Sequence, residues 1–146
     1  MRVQMLIAGF CFLSWFSYGQ NEKFDSLSTK IKEIAKIWES GRGITKSATT
    51  RSSFWRNNTV IQSKFTINER EYKKIRRKKY SKSGVIEKII VKNEEGGDIC
   101  RIKRINGDDV SIIVSNKGKV YELFIDRFIR IRGLGERDLY YEKPIN

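Results

Sequence analysis

The sequence predicts an α+β fold in which one N-terminal amphipathic helix packs on a curved antiparallel meander of about six or seven strands. Three observations lead to this prediction. One segment has helical periodicity, the rest of the chain has short runs rich in β-branched and aromatic residues, and turn signals separate those runs at regular intervals. A chain of 146 residues is long enough for one domain with its own core.

The first segment, residues 1–19, is typical of a cleaved signal peptide. Val3 to Phe16 is mostly apolar, and Ser17 and Gly19 place small residues three and one positions before a cut. The apolar run is shorter than the roughly 20 residues that span a bilayer as a helix. This leader resembles bacterial export signals. We therefore expect a secreted or periplasmic product, a single α+β domain over residues 20–146, and no stable transmembrane segment after cleavage.

The helix is predicted over residues 22–39, where apolar side chains recur at spacings of three and four. The apolar face comprises Phe24, Leu27, Ile31, Ile34 and Trp38. The charged residues between them, Glu39 included, are expected to face solvent. Gly41 is a plausible end of the helix, because glycine readily takes the left-handed conformation that terminates helices.

Residues 41–58 are rich in Gly, Ser, Thr and Asn and carry scattered arginines, so they are predicted to form a long basic loop. Trp55 lies beside Arg56 near its end. An aromatic ring next to arginines can stack on bases or sugars, and it can equally anchor the loop to the core.

Seven apolar runs follow, separated by turn signals, of which Asn106-Gly107 is the strongest because a two-residue hairpin needs positive φ at both positions. The runs are Thr59–Ile67, Glu71–Tyr80, Val85–Lys92, Ile99–Ile105, Val110–Ser115, Val120–Arg132 and Arg137–Glu142. In the sixth run the alternation of apolar residues breaks near Asp126, which predicts a bend that divides it into two strands. Cys100, between two isoleucines of the fourth run, is predicted to be a small core residue.

Positive charge is concentrated in one part of the chain. The whole chain carries 30 basic and 17 acidic residues, and the segment from Arg42 to Lys88 holds fourteen of the former against three of the latter. Such a concentration favours anionic partners such as nucleic acid, lipid headgroups or acidic glycans.

The densest part is Lys73 to Lys79, with six charges in seven residues. As a strand it would have almost nothing to bury, so it is expected at a sheet edge or in a projecting ribbon, where lysines also prevent edge-to-edge association. Asn68 followed by Glu71 also fits the cap of a short helix, so strand and helix both remain open for residues 69–80.

Enzymatic function is not expected. The chain has no histidine, which removes the commonest general base and the usual imidazole ligands of zinc. Glu69 and Glu71 beside the basic run leave a histidine-free nuclease toxin as a minor alternative. No cofactor or metal is expected, because no acidic cluster has the spacing of a calcium loop.

The leading hypothesis is an exported, non-catalytic binding protein whose cationic surface engages an anionic envelope or extracellular polymer. The residues expected to bind are basic or aromatic and lie where burial is least expected: Arg51, Trp55, Arg56, Lys74, Arg76 and Lys78. The alternatives are an envelope carrier or chaperone that holds lipid or peptide in a concave sheet, and an immunity-type protein whose partner is one acidic protein.

Overall fold

The computed structural model describes residues 3–41, 50–55, 57–126, 128–133 and 139–142, with side chains for 22–41, 57–126 and 128–132. One helix, α1, is followed by nine antiparallel strands that pair strictly in chain order. The elements are α1 Val3–Ser40, β1 Thr50–Trp55, β2 Asn58–Ile67, β3 Arg70–Ser81, β4 Gly84–Lys92, β5 Asp98–Ile105, β6 Asp108–Asn116, β7 Lys119–Phe124, β8 Phe128–Gly133 and β9 Leu139–Glu142. The predicted α+β meander is confirmed, and no pairing joins β1 to β9 among the described strands.

The strand count exceeds the predicted six or seven for two reasons. The predicted break near Asp126 is confirmed, because a turn at Ile125 and Asp126 separates β7 from β8. The other addition is β1, which lies inside the segment expected as a basic loop and pairs with β2 from Thr50↔Ser63 to Trp55↔Asn58. Residues 42–49 of that segment lie outside the described residues.

α1 packs on one face of the sheet, over β4 to β9. Its predicted apolar face is confirmed: Phe24 and Ile31 are buried, and Leu27, Ile34 and Trp38 pack against the same cluster. The strands contribute alternate residues to this core, namely Phe65, Ile89, Val91, Cys100, Ile102, Ile112, Val114, Tyr121, Leu123 and Ile129. We call the face that carries them the helix side of the sheet and the opposite one the outer face.

The end of α1 follows the predicted signal. Gly41 has φ of +63° and its N–H donates to the carbonyl of Ile37 at 3.0 Å, a left-handed helix cap. The predicted Asn106-Gly107 hairpin is also confirmed, with positive φ at both residues between the paired Ile105 and Asp108.

Cys100 is buried at 1% exposure, as predicted. Burial, with smaller effects of the Glu39 and Asp109 carboxylates, raises the pKa of its thiol to about 12. The thiol is therefore neutral near pH 7 and acts as a packing residue.

The helix–sheet interface predicts a contrast between two isoleucines of α1. Ile31 is fully buried and Ile37 is 46% exposed. Ile31→Ala is expected to lower the free energy of unfolding by about 3 to 4 kcal/mol, because it removes apolar contact and leaves a cavity. Ile37→Ala should change it by about 0.5 kcal/mol or less. Urea unfolding of both variants checks this, and equal losses would contradict the packing described above.

Candidate functional site

The basic run lies in β3, and this resolves its secondary structure as strand. β3 pairs with β2 on one side and β4 on the other, so it is an interior strand. The prediction of a sheet edge or projecting ribbon for this run is therefore wrong. Protection of an exposed edge cannot explain its lysines, because both sets of backbone hydrogen bonds are already used.

Alternation along β3 divides its charges between the two faces of the sheet. Lys74 and Arg76 lie opposite the core residues Val91 and Ile89, so they point to the helix side. Lys78 follows on the same face. Lys73, Arg77 and Lys79 therefore project from the outer face.

On the helix side, charges of alternating sign face one another across four strands. Lys78 is opposite Glu87, Glu87 is opposite Arg104, and Arg104 is opposite Asp109. A register shift between β5 and β6 makes the last pair possible, because it brings Asp109 opposite Arg104. Opposite charges in such cross-strand positions stabilise a sheet.

Glu39 completes this row from the last turn of α1. Both of its carboxylate oxygens accept hydrogen bonds from the Arg104 guanidinium, at 2.6 and 2.8 Å, and Arg104 Nε donates to Asp109. The Glu39 and Arg104 side chains are each 19% exposed. The prediction that Glu39 faces solvent is wrong, because a planar guanidinium on β5 offers it two parallel hydrogen bonds.

Two more cations of β3 surround the end of the helix. Lys74 Nζ donates to the main-chain carbonyl of Glu39 at 2.6 Å, and Arg76 lies 3.7 Å from the Glu39 carboxylate. Cations at a helix C-terminus are favoured by its dipole and satisfy carbonyls that lack a partner in the helix.

The Glu87 carboxylate is the second acidic centre of this cluster. Its Oε1 lies 3.2 Å from Arg76 Nε and 3.8 Å from Lys78 Nζ. Arg76 Nε and Glu87 Oε1 are both buried and lack a well-aligned hydrogen bond, so charge attraction rather than hydrogen bonding compensates their burial. We call the residues Glu39, Lys74, Arg76, Lys78, Glu87, Arg104 and Asp109 the helix-side network.

The network shifts the pKa values of three of its members, Glu39, Lys74 and Arg104. The hydrogen bond from Arg104 holds the pKa of Glu39 below its usual value, against the opposing effect of burial. Burial, followed by repulsion from Arg76, lowers the pKa of Lys74. The hydrogen bond to Glu39 raises the pKa of Arg104. Glu39 and Arg104 are thus charged together throughout the physiological range.

Of the six residues predicted to bind, three have described side chains. Lys74, Arg76 and Lys78 belong to the helix-side network, and their positions there contradict the expectation that they lie where burial is least. Arg51 and Trp55 lie in β1, opposite Gln62 and Asn58, and their side chains are outside the described part of the chain. Arg56 also lies outside the described residues.

The outer face carries a second row of charged residues, each next in sequence to a member of the helix-side network. Arg77 of β3 is directly opposite Lys88 of β4, and Lys88 is directly opposite Lys103 of β5. All three side chains are exposed. Among the described residues, no carboxylate lies within ion-pair distance of any of them. We call Arg77, Lys88 and Lys103 the cationic ladder.

A second row of lysines on the outer face differs from the cationic ladder, because two of its members have acidic partners. Lys64, Lys73 and Lys92 also lie opposite one another on β2, β3 and β4. Here Lys64 pairs with Glu71 at 2.8 Å and Lys92 pairs with Asp98 at 2.8 Å. The hydrogen bond from Lys92, then that from Arg101, lowers the pKa of Asp98. We call Lys64, Lys73 and Lys92 the paired row.

A groove of about 570 Å³ runs along the cationic ladder. Its lining combines cations with apolar side chains and contains no acid: Asn58, Val60, Arg77, Lys79, Ile86, Lys88 and Lys103, together with Lys78, whose side-chain amine points to the helix side. It is the shape expected of a shallow site for an anionic ligand with some apolar surface.

Sequence reasoning missed Lys88 and Lys103. Each lies beside a buried isoleucine, Ile89 and Ile102, and alternation therefore places it on the outer face. Alternation along a strand indicates which face of the sheet a residue occupies, but it does not indicate how neighbouring strands are aligned. It therefore could not reveal that the two lysines and Arg77 share one row.

The acidic pair of the nuclease alternative is not assembled. Glu69 is in the β2–β3 turn with φ of +66°, while Glu71 is in β3 and pairs with Lys64. Within the described residues, no group of three or more potential metal ligands is found.

Comparisons with known proteins give no relative: no family model, no curated protein and no solved structure matches the chain. In the described part of the chain, no helix has the length and apolarity required to cross a bilayer.

The lowered pKa of Glu39 predicts an acid-dependent contribution to stability. Since the folded pKa lies below the unfolded one, the contribution is complete above the unfolded pKa and is lost as pH falls through the folded pKa. Glu39→Gln should therefore lower the free energy of unfolding by about 1 to 3 kcal/mol at pH 7. The loss should be much smaller at a pH where Glu39 is protonated in both the folded and the unfolded chain.

Urea unfolding at pH 7 and at pH 2.5 measures this difference. Glu33→Gln, on the exposed face of the same helix, is the matched control and should change stability little at either pH. A cost of Glu39→Gln that is the same at both pH values would show that the carboxylate charge is not what stabilises the interface.

Proposed function

We propose that this protein is an exported, non-catalytic binding protein whose outer sheet face engages an anionic polymer of the envelope or of the extracellular space. The observation that supports the proposal is the contrast between two neighbouring rows. The helix-side row alternates in sign, and the cationic ladder, one residue away on the same strands, has three charges of one sign.

The ladder is unfavourable for the isolated fold. Like charges directly opposite one another destabilise a sheet, and none of the three has an acidic partner among the described residues. Acids are available nearby, since Glu87 precedes Lys88 on β4 and Asp109 of the adjacent strand β6 lies opposite Arg104. They are placed on the helix side, so the outer face keeps its positive potential.

An anionic ligand would remove this repulsion. Its charges would replace the missing carboxylates, and its binding would release the counterions of the polymer, which favours association at low salt. The signal-peptide prediction agrees with a polymer outside the cytoplasm, and the proposed role requires no catalytic group.

The carrier alternative receives less support. The apolar helix side, where a lipid or peptide would lie, is covered by Phe24, Ile31 and Ala35 of α1 in one continuous core. An acidic protein partner would use the same cations as a polymer. The experiment below distinguishes these two kinds of partner.

Polymer binding predicts a strong and position-specific response to charge removal. Binding of purified protein to polygalacturonate, polyphosphate and single-stranded DNA is measured by fluorescence anisotropy at 50 and 200 mM salt. With three or four cations in contact, affinity should fall about 20- to 150-fold over this range. The triple variant R77Q/K88Q/K103Q should bind at least 10-fold more weakly than the wild type at 50 mM salt.

The matched control is K64Q/K73Q/K92Q, which removes the same net charge from the paired row. It should bind within about 3-fold of the wild type, since two of its three lysines are already neutralised. Absence of binding to all three probes, or a salt-independent affinity, would contradict the proposed function. Capture of one stoichiometric acidic protein, together with absence of polymer binding, would support the immunity-type alternative instead.

A further inference from the structure

The direction of the cationic ladder constrains the shape of its ligand. Arg77, Lys88 and Lys103 lie on three adjacent strands at paired positions, so the row runs perpendicular to the strands. Adjacent strands are about 4.8 Å apart, and the three Cα positions therefore span about 10 Å in a nearly straight line. A ligand that engages all three must present anions along one line at a similar spacing.

The ladder ends at both sides within the sheet. On β2 the residue opposite Arg77 is Val60, and on β6 the residue opposite Lys103 is Ser111. The site thus offers three consecutive charged positions, with Lys79, two residues from Arg77 on the same face, as a further cation in the groove.

Isoleucines flank the ladder on both sides. Ile75 and Ile90 form the neighbouring outer row towards the paired row, and Ile86 lies opposite Ile105 in the row towards the hairpin ends. Ile105 is 38% exposed. These rows lie about 7 Å from the ladder, because each is two residues further along the strands. Ile75 is only 7% exposed, so the apolar surface that a ligand meets beside its line of charges is mainly that of Val60, Ile86 and Ile105.

Within its described lining, the groove offers aliphatic rather than aromatic apolar surface. Single-stranded nucleic acids are bound through aromatic side chains on which bases stack, in combination with cations. The groove has no aromatic residue in its described lining.

We propose that the ligand of this groove is a linear acidic polysaccharide with one carboxylate or sulfate on each sugar, lying across β3, β4 and β5. This inference depends on the proposed function and specifies its polymer. Successive sugar rings repeat at a spacing close to that of adjacent strands, and the C–H faces of the rings match the apolar side chains of the groove, Val60 and Ile86. Polyphosphate has more closely spaced charges and no apolar face, so it fits this groove less well.

The inference predicts a length threshold. Oligogalacturonates of two to eight sugars are titrated into the protein by calorimetry in calcium-free buffer at 50 mM salt. Affinity should rise at least 10-fold between two and four sugars, as the ladder becomes filled, and by less than 3-fold from six to eight. A sulfated oligosaccharide series of the same lengths shows whether carboxylate or sulfate is preferred.

Ladder variants test the register. Lys103→Gln, at one end of the ladder, should weaken binding of the tetramer at least 5-fold but that of the dimer by less than 2-fold, because the dimer can occupy the other two positions. Lys73→Gln removes one charge from the paired row of the same face and should weaken neither by more than 2-fold. Circular dichroism verifies that both variants are folded.

Outcomes for the inference and for the proposed function can be told apart. If polyphosphate of matched charge binds as tightly as the oligogalacturonate of six sugars, or if affinity rises smoothly with length without a plateau, the polysaccharide assignment is wrong while polyanion binding stands. If no polyanion binds at 50 mM salt, both are wrong. Binding of the hexamer at least 10-fold tighter than matched polyphosphate, with the length threshold, supports the inference.

Discussion

The bidentate contact between Glu39 and Arg104 connects the last turn of α1 to the middle of the sheet. The apolar face of the helix provides most of the area buried against β4 to β9, but apolar contacts alone do not fix where along the sheet a helix ends. Glu39 fixes this position, because the planar Arg104 guanidinium donates its two parallel hydrogen bonds to a carboxylate that lies in its plane. Lys74 and Arg76 then satisfy the helix terminus from β3, a strand that the body of the helix does not cover.

This arrangement allocates charge between the two faces of the sheet. Three acids, Glu39, Glu87 and Asp109, are gathered on the helix side with four cations. Because the side chains of these acids point to the helix side, the ladder on the opposite face has no acidic ion-pair partner among the described residues. The positive potential of the outer face is thus a consequence of how the helix is held, as well as of the excess of lysine and arginine in the sequence.

Features determined by local sequence could be predicted. The spacing of Phe24, Ile31 and Trp38 predicts the buried face of α1, Gly41 predicts its end, and the interrupted alternation near Asp126 predicts the separation of β7 from β8. Each depends on conformational preferences of neighbouring residues or on burial of one face.

Features determined by strand register could not be predicted from the sequence. The basic run looks unable to bury anything, yet it is an interior strand because Glu39 and Glu87 compensate its inward cations. Glu39 lies in α1 and Glu87 lies in β4, so no local sequence pattern indicates that they pair with the cations of β3. The ladder depends likewise on two registers, that of β3 with β4 and that of β4 with β5, and a shift of one residue between β4 and β5 would turn Lys103 towards the core. The site predicted from charge density thus included the inward cations Lys74, Arg76 and Lys78 and omitted Arg77, Lys88 and Lys103, which project from the outer face.

A double-mutant cycle on Glu39 and Arg104 tests this account most directly. Unfolding free energies of Glu39→Gln, Arg104→Gln and the double variant at pH 7 give the coupling energy between the two side chains. We expect a coupling of at least about 1.5 kcal/mol, since each single variant removes both charge-assisted hydrogen bonds from the largely buried charge that remains. Additive effects, with a coupling below about 0.3 kcal/mol, would show that the contact does not hold the helix on the sheet and would contradict the account.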